Sequence, residues 1–276
     1  MKIFTMVKNE VDIIEYWIKY HGSLCGYDNL HIIDNYSDDG TYEIILKYKT
    51  KGIHIYREAD YKRKGDLITN LIKIQKVNKY TFAIPLDIDE FMVFFNKTTN
   101  TLSPELTRNY INSLMAESTD AIFKMNYILS TINSQDDFGY NNSVLECEYG
   151  TYDDYKDMAK SFFNVRKWDD ILDHGNHYYC NQYFLTDIVL IHYHCRNFEQ
   201  MIKKVTSNVT GLGHPLNKIV LSDVLASNPN ADGGHHIKHM INILDNKFKI
   251  CTRLSDKDKK KSICLKPIIN YILNLT

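Results

Sequence analysis

The sequence predicts an α/β protein: a three-layer, Rossmann-like fold built on a mostly parallel central sheet. Two observations carry that prediction. Across residues 1–90, short apolar runs of strand length alternate with amphipathic helical segments, the pattern of a parallel sheet covered on both faces. Polar clusters then follow the strands at corresponding ends: Asn9-Glu10 after the first, Asp34 at the end of the second, and Asp87-Ile88-Asp89-Glu90 after the fourth. In sheets of this kind, ligands bind outside the carboxyl ends of the strands.

Each element has its own local reason. Ile3 to Val7 is apolar apart from Thr5 and reads as a buried strand. From Val11 to Tyr20, the residues Ile14, Trp17 and Ile18 fall on one face of a helix. Leu30 to Ile33 is a second strand, and Asp38-Asp39-Gly40-Thr41 brings turn and cap chemistry to a helix reaching about Tyr48. Ile53 to Tyr56 is a third strand, Lys64 to Val77 a third helix, and Thr81 to Leu86 a fourth strand running straight into Asp87. The second half is less regular. Leu102 to Met115 reads as a helix, Ala121 to Ile128 and Ile188 to His192 as strands, and Phe198 to Val209 as a helix. Thr131 to Tyr155 reads as loop-rich, Asn228 to Gly234 as a turn-rich break, and Pro267 to Leu275 as a short terminal helix. One domain is expected, with a ligand-binding half over 1–95, a second half over 96–210 that completes the site, and an extension over 211–276.

Composition narrows the function. At 276 residues, 44% hydrophobic and 24% charged, the chain has the make-up of a globular protein with a real core. A formal net charge of -1 provides no broad attraction to nucleic acid or to an acidic membrane. Six scattered cysteines without a CxxC pair read as reduced thiols. No apolar run approaches the roughly 18 residues of a membrane span, and the first residues do not read as a signal peptide. The expected setting is therefore cytoplasmic. The abundance of Ile, Lys, Asn and Tyr (20 Tyr against 12 Gly) suggests an AT-rich genome, of a bacterium or a large DNA virus.

The acidic triplet Asp87-Ile88-Asp89 is the chemical signal. Two carboxylates at i and i+2 after a buried strand can hold a hard divalent cation, Mn²⁺ or Mg²⁺, against phosphate oxygens. The triplet alone is weak; its place behind Phe82-Ala83-Ile84-Pro85-Leu86 strengthens it. Asp34 at a strand end can accept from a base imide or a ribose hydroxyl, while Asp39 reads as a helix cap.

A family resemblance rests on segments occurring in order. They are Met6-Val7-Lys8-Asn9-Glu10, Trp17-Ile18-Lys19-Tyr20-His21, Ile33-Asp34-Asn35-Tyr36-Ser37-Asp38-Asp39-Gly40-Thr41 and Pro85-Leu86-Asp87-Ile88-Asp89-Glu90-Phe91. Lys160-Ser161, His174-Gly175 and Ile191-His192-Tyr193 with Arg196 and Lys203 follow. Together they resemble the family 2 glycosyltransferases of GT-A fold, in the branch that borders on family 92, over residues 1 to about 205. The resemblance implies transfer of a sugar from a nucleoside diphosphate, with UDP favoured, to a hydroxyl acceptor on a glycan, a protein or a small molecule, with inversion. It implies donor binding by Val7, Glu10 and Asp34, and metal binding by Asp89 with help from Asp87. His192 becomes a third metal ligand, and Arg196 or Lys203 a positive clamp on the diphosphate. The segment Met125 to Thr131 departs from the branch, so acceptor identity does not carry over.

Inverting transfer needs a base beside the attacking hydroxyl. Asp136, Asp137 and Asp173 are the candidates, and no motif chooses among them. Gly233-Gly234-His235-His236-Ile237-Lys238-His239 lacks the glutamate of a zinc-protease helix and reads as a flexible loop. Two other functions stay open on sequence alone. A nucleotidyltransferase shares such a sheet but usually opens on a Gly-rich basic loop, which Met6-Val7-Lys8-Asn9-Glu10 is not. A binding module that has lost activity is the second, although Asp34, Asp87, Asp89 and His192 are all present.

Overall fold

The computed structural model describes residues 1–75, 81–117, 120–131, 144–153, 160–166, 168–173, 175–177, 182–193, 196, 198–229, 233–245 and 262–275. The first part of the chain is β1 (Lys2–Val7), α1 (Ile14–Cys25), β2 (Leu30–Asp34), α2 (Thr41–Lys47), β3 (His54–Arg57), α3 (Lys64–Ile74) and β4 (Phe82–Pro85). Next come β5 (Glu90–Asn96), β6 (Thr101–Ser103), α4 (Pro104–Glu117), β7 (Ile122–Thr131), β8 (Tyr149–Asp153), β9 (Lys160–Asn164) and β10 (Phe184–His192). The chain closes with α5 (Phe198–Gly211), α6 (Lys218–Ser227), α7 (Gly234–Leu244), β11 (Ile263–Cys264) and α8 (Lys266–Leu273).

These elements form a mixed α/β architecture around one 11-stranded sheet, ordered β3-β2-β1-β4-β9-β7-β10-β5-β6, with β8 and β11 branching from β7. Strands β3, β2, β1 and β4 are mutually parallel, and β7 lies parallel to β10. Following the pairings outward, only β9, β5 and β8 run against the rest. Most of the strands therefore point one way, as the alternating first half predicts.

The β1 residues divide by parity, as a strand covered on both faces demands. Ile3 and Val7 join the larger core with α1, while Phe4 and Met6 join a second cluster with Ile68 and Ile72 of α3. That is the three-layer arrangement. Helix α1 is locked to the sheet by polar bonds as well: Trp17 Nε1 donates to the Glu90 carbonyl at 3.1 Å, and the Tyr20 hydroxyl donates to the Met92 carbonyl. A third apolar cluster joins α5, α6 and α7 through Met201, Val205, Val209, Leu221, Ile237 and Met240.

The helix opening at Lys64 runs over Lys64–Ile74, and its expected end at Val77 lies outside the described residues. Two readings of the sequence change. The loop-rich stretch 131–155 contains β8, which pairs antiparallel with β7. The histidine-rich segment is the start of α7 rather than a loop, because Ile237, Met240 and Ile241 repeat at helical spacing and pack on α5 and α6.

Candidate functional site

Strands β1, β2 and β4 deliver their carboxyl ends to one edge of the sheet, and the loops there are knitted together. The Asn35 N–H donates to the Val7 carbonyl at 2.8 Å. The Asn9 N–H donates to Ser37 Oγ at 3.0 Å, and Asn9 Oδ1 accepts from the Asp38 N–H at 3.0 Å. Asn9 and Tyr36 hold left-handed backbone at φ 55° and 53°, a conformation that needs such support. Thr41 Oγ1 accepts from the Glu10 N–H at 2.9 Å, and Asp39 Oδ1 accepts from the Thr41 N–H at 2.9 Å. The N-cap of α2 is Gly40 rather than Asp39, which instead braces the first residue of the helix and the loop after β1.

Beside this edge lies a cavity of about 790 Å³. Met6 to Glu10 form one wall and Asp87 to Glu90 another. Asp173, Gly175 and His177 supply a third, and Lys203, Lys204, Ser207 and Asn208 of α5 roof it, with His235 and His236 of α7. The expected residues Val7, Glu10, Asp87, Asp89, Asp173, His192 and Lys203 all line this one cavity.

Asp34 and Arg196 do not line it. Asp34 is fully buried, accepting from the Ser37 N–H at 3.2 Å and from Arg57 Nε at 3.1 Å. Arg196 is also fully buried, and it donates to the carboxylates of Glu10 and of Asp12, the latter at 2.7 Å. It braces the loop after β1 from behind. Asp136 and Asp137 lie outside the described residues.

The two aspartates of the acidic turn have different surroundings. Asp87 Oδ1 accepts from Lys64 Nζ at 2.7 Å and from Asn176 Nδ2 at 3.0 Å, and Oδ2 accepts from Lys160 Nζ at 2.8 Å. Burial pushes the Asp87 carboxyl up, but the ammonium groups of Lys160 and Lys64 more than offset this and hold it far below the usual carboxylate range. Lys160, itself fully buried, also reaches Glu90 Oε2 at 3.0 Å. Glu90 accepts in addition from the Tyr127 hydroxyl at 3.1 Å and from the Asp87 N–H at 2.8 Å. Asp87 is thus a half-buried carboxylate, charge-compensated by a network whose Lys160 and Glu90 are buried.

Asp89 faces the roof. Its Oδ2 takes the Lys204 ammonium and lies 3.4 Å from His192 Nε2, while the Tyr193 N–H donates to its carbonyl at 2.8 Å. Burial raises the Asp89 carboxyl, and Lys204 and His192 outweigh that to keep it well below its ordinary value. Two ligands set side by side on one ion of ~2.1 Å bond length stand roughly 3 Å apart. Asp89 Oδ2 and His192 Nε2 have about that spacing, although among the described residues no group of three or more His, Cys, Asp or Glu side chains is placed to hold a metal ion. Asp87, with two ammonium groups on its carboxylate, fits less well as a ligand.

Sequence reasoning missed Lys64, Lys204, Asn176 and His177. For Lys204 a signal existed: it sits between the buried Met201 and Val205 on α5, whereas Lys203 is exposed at the cavity rim.

No protein-family profile matches the chain, and no curated protein matches it. Solved structures with some likeness include residues 1–349 of S. aureus TarS in complex with UDP, at 12% identity and a TM-score of 0.42, covering 90% of this chain and 71% of that one. The mannosyltransferase PcManGT from Pyrobaculum calidifontis, in complex with GDP-Man and Mn²⁺, matches at 10% identity and 0.41, covering 99% and 85%. A cytidylyltransferase from Leptospira borgpetersenii matches at 12% and 0.31, covering 59% and 60%. Likenesses this distant do not choose between sugar transfer and nucleotidyl transfer, and the choice falls to the site.

Proposed function

We propose that this chain is a glycosyltransferase of GT-A type that takes a sugar from a nucleoside diphosphate, with UDP the favoured nucleotide. The observation that carries the reading is the convergence of Asp89 and His192 in a lysine-bearing cavity at the carboxyl ends of β1, β2 and β4. A diphosphate leaving group needs positive charge where its own negative charge develops. Lys204 stands against Asp89, Lys64 against Asp87, and Lys8 and Lys203 line the same cavity. Glu10 and Val7 present the floor on which the nucleoside lies, and Asp34 supports that floor from within the sheet.

Asp89 and His192 are the residues that hold Mn²⁺ or Mg²⁺ in this reading; the ion, when bound, offsets the charge of the departing diphosphate. Asp87 orients Lys64 and Asn176 instead of binding the ion directly. The acceptor hydroxyl approaches from the side of Asp173 and His177 and attacks with inversion. The donor site opens on no glycine-rich basic loop, so sugar transfer is favoured over the nucleotidyltransferase alternative.

A thermal-shift screen of UDP, GDP, CDP and their sugars, with and without Mn²⁺, tests this. Stabilisation by one nucleotide diphosphate that needs the metal and disappears in Asp89→Ala supports the assignment. Absence of any nucleotide effect, with metal present, overturns it.

A further inference from the structure

Asp173 and His177 form a dyad in the wall of the cavity. Asp173 Oδ1 accepts from the His177 backbone N–H at 2.6 Å, and Oδ2 faces His177 Nδ1 at 3.0 Å. A carboxylate only accepts, so Nδ1 carries the proton and Nε2 is the basic nitrogen of the neutral ring. Gly175 leaves room for this ring: a Cβ there would lie 2.5 Å from His177 Cε1 and 2.6 Å from Nδ1. Between them Asn176 adopts left-handed backbone at φ 61° and donates through Nδ2 to Asp87 Oδ1 at 3.0 Å. One short turn therefore positions an imidazole by a carboxylate and ties the turn to the acidic motif.

We infer that His177 is the general base of the transfer reaction and that Asp173 is its positioning residue, an inference that rests on the glycosyltransferase reading above. Both Asp173 oxygens are engaged by His177, which suits the carboxylate to orienting the ring rather than to meeting the acceptor. His177 Nε2 takes the proton of the acceptor hydroxyl as its oxygen bonds to the anomeric carbon. The bond from that carbon to the diphosphate breaks, and its electron pair leaves on the phosphate oxygen. The imidazolium then returns its proton to solvent. The arrangement follows the carboxylate–imidazole logic by which an acid sets the tautomer of a catalytic histidine; here the acid is partly exposed.

The test uses the full chain with Mn²⁺ and a panel of UDP-glucose, UDP-galactose, UDP-N-acetylglucosamine and GDP-mannose, following release of the nucleoside diphosphate with water as acceptor. His177→Ala is expected to bind UDP with Mn²⁺ within about 2-fold of wild type while release falls by about 100-fold or more, with partial recovery on adding imidazole. Asp173→Asn is expected to lower release with little change in KM, and to shift the ¹⁵N signals of His177 toward the other tautomer. His177→Gln, which keeps a side chain of similar bulk, serves where the alanine variant melts early. Release by His177→Gln or His177→Ala within about 3-fold of wild type overturns the base. Wild-type protein that neither binds nor turns over any of the four donors overturns the transferase reading itself, and the base with it.

Discussion

Lys204, on α5, places its ammonium on the carboxylate of Asp89, 115 residues away in sequence, beside the imidazole of His192. A resident cation thus shares the oxygen proposed to bind the metal. At an effective dielectric near 20, two unit charges ~4 Å apart interact by about 4 kcal/mol, so Lys204 and a divalent ion oppose one another. Lys204→Met is expected to tighten Mn²⁺ binding in the presence of UDP by about tenfold, read by titration calorimetry, while turnover falls. Unchanged or weaker Mn²⁺ binding would show that the ion does not sit on Asp89 Oδ2.

Asp39 links the loop after β1 to the start of α2. It accepts from the Thr41 N–H and hydroxyl at the start of α2, and its Oδ2 accepts from the Val11 N–H at 3.1 Å. Loss of a typical intramolecular hydrogen bond costs about 1 kcal/mol. Asp39→Ala is expected to lower stability by about 1–2 kcal/mol in urea denaturation and to weaken UDP binding several-fold. Lost stability with intact UDP binding would confine Asp39 to bracing these two segments.

The acidic edge of the site was legible in the sequence because each residue there follows a mostly apolar run of strand length. Ile3 to Val7, Leu30 to Ile33 and Phe82 to Leu86 are strands whose ends can be read without partners. Strand β5 was not legible, since Glu90–Asn96 continues the apolar character of β4 through the acidic turn and only its pairing with β10 shows the reversal. The lysines were hidden for another reason. Lys64 and Lys160 reach Asp87 across 23 and 73 residues, and no periodicity records contacts of that range. For α7 the signal was present in Ile237 and Met240, but the Gly233-Gly234 pair reads more strongly as a loop than as the start of a helix.

Arg196 is expected to be a residue of stability. It is fully buried between Glu10 and Asp12, and burial pushes the Glu10 carboxyl up even with the guanidinium beside it. Removing one partner of a buried ion pair typically costs about 3–5 kcal/mol, because the other charge is stranded. Arg196→Met is expected to destabilise by about that amount, and adding Glu10→Gln to recover part of it. A single variant within about 1 kcal/mol of wild type would show that Glu10 finds another partner.

His21 makes stability depend on pH. Its ring is fully buried among Trp17, Tyr20 and Phe91, and Nδ1 donates to the Trp17 carbonyl at 3.0 Å. Burial lowers its pKa to about 3, against about 6.5 in the unfolded chain. Between those values the unfolded state binds a proton that the folded state refuses, so stability falls as pH falls through this window. At pH 5 the loss relative to pH 7 is about 2 kcal/mol from this residue. Urea denaturation of wild type and His21→Phe at pH 7 and pH 5 checks it: the variant is expected to lose about 2 kcal/mol less over the same interval. Equal losses would mean that the ring charges in place.

Gly65, in the first turn of α3, sits against the backbone that leads into the dyad. A Cβ there would lie 2.6 Å from the Leu172 carbonyl oxygen and 3.0 Å from that of Asp173. Neither is a flexible side chain, so Gly65→Ala must push the 168–173 segment away from the helix. Overpacking of this kind costs about 1–3 kcal/mol. Leu172 is further pinned to α3 by its N–H, which donates to Thr69 Oγ1 at 3.1 Å, so the displacement passes along the segment to Asp173. In the proposed reading the nucleotide is held by other residues of the cavity, so its binding is expected to survive while turnover falls by about tenfold or more. The ratio of the two effects is the informative measurement, since general unfolding would lower both together. Turnover that survives alongside a drop in stability would show that the Asp173 turn holds its position without the close approach to α3.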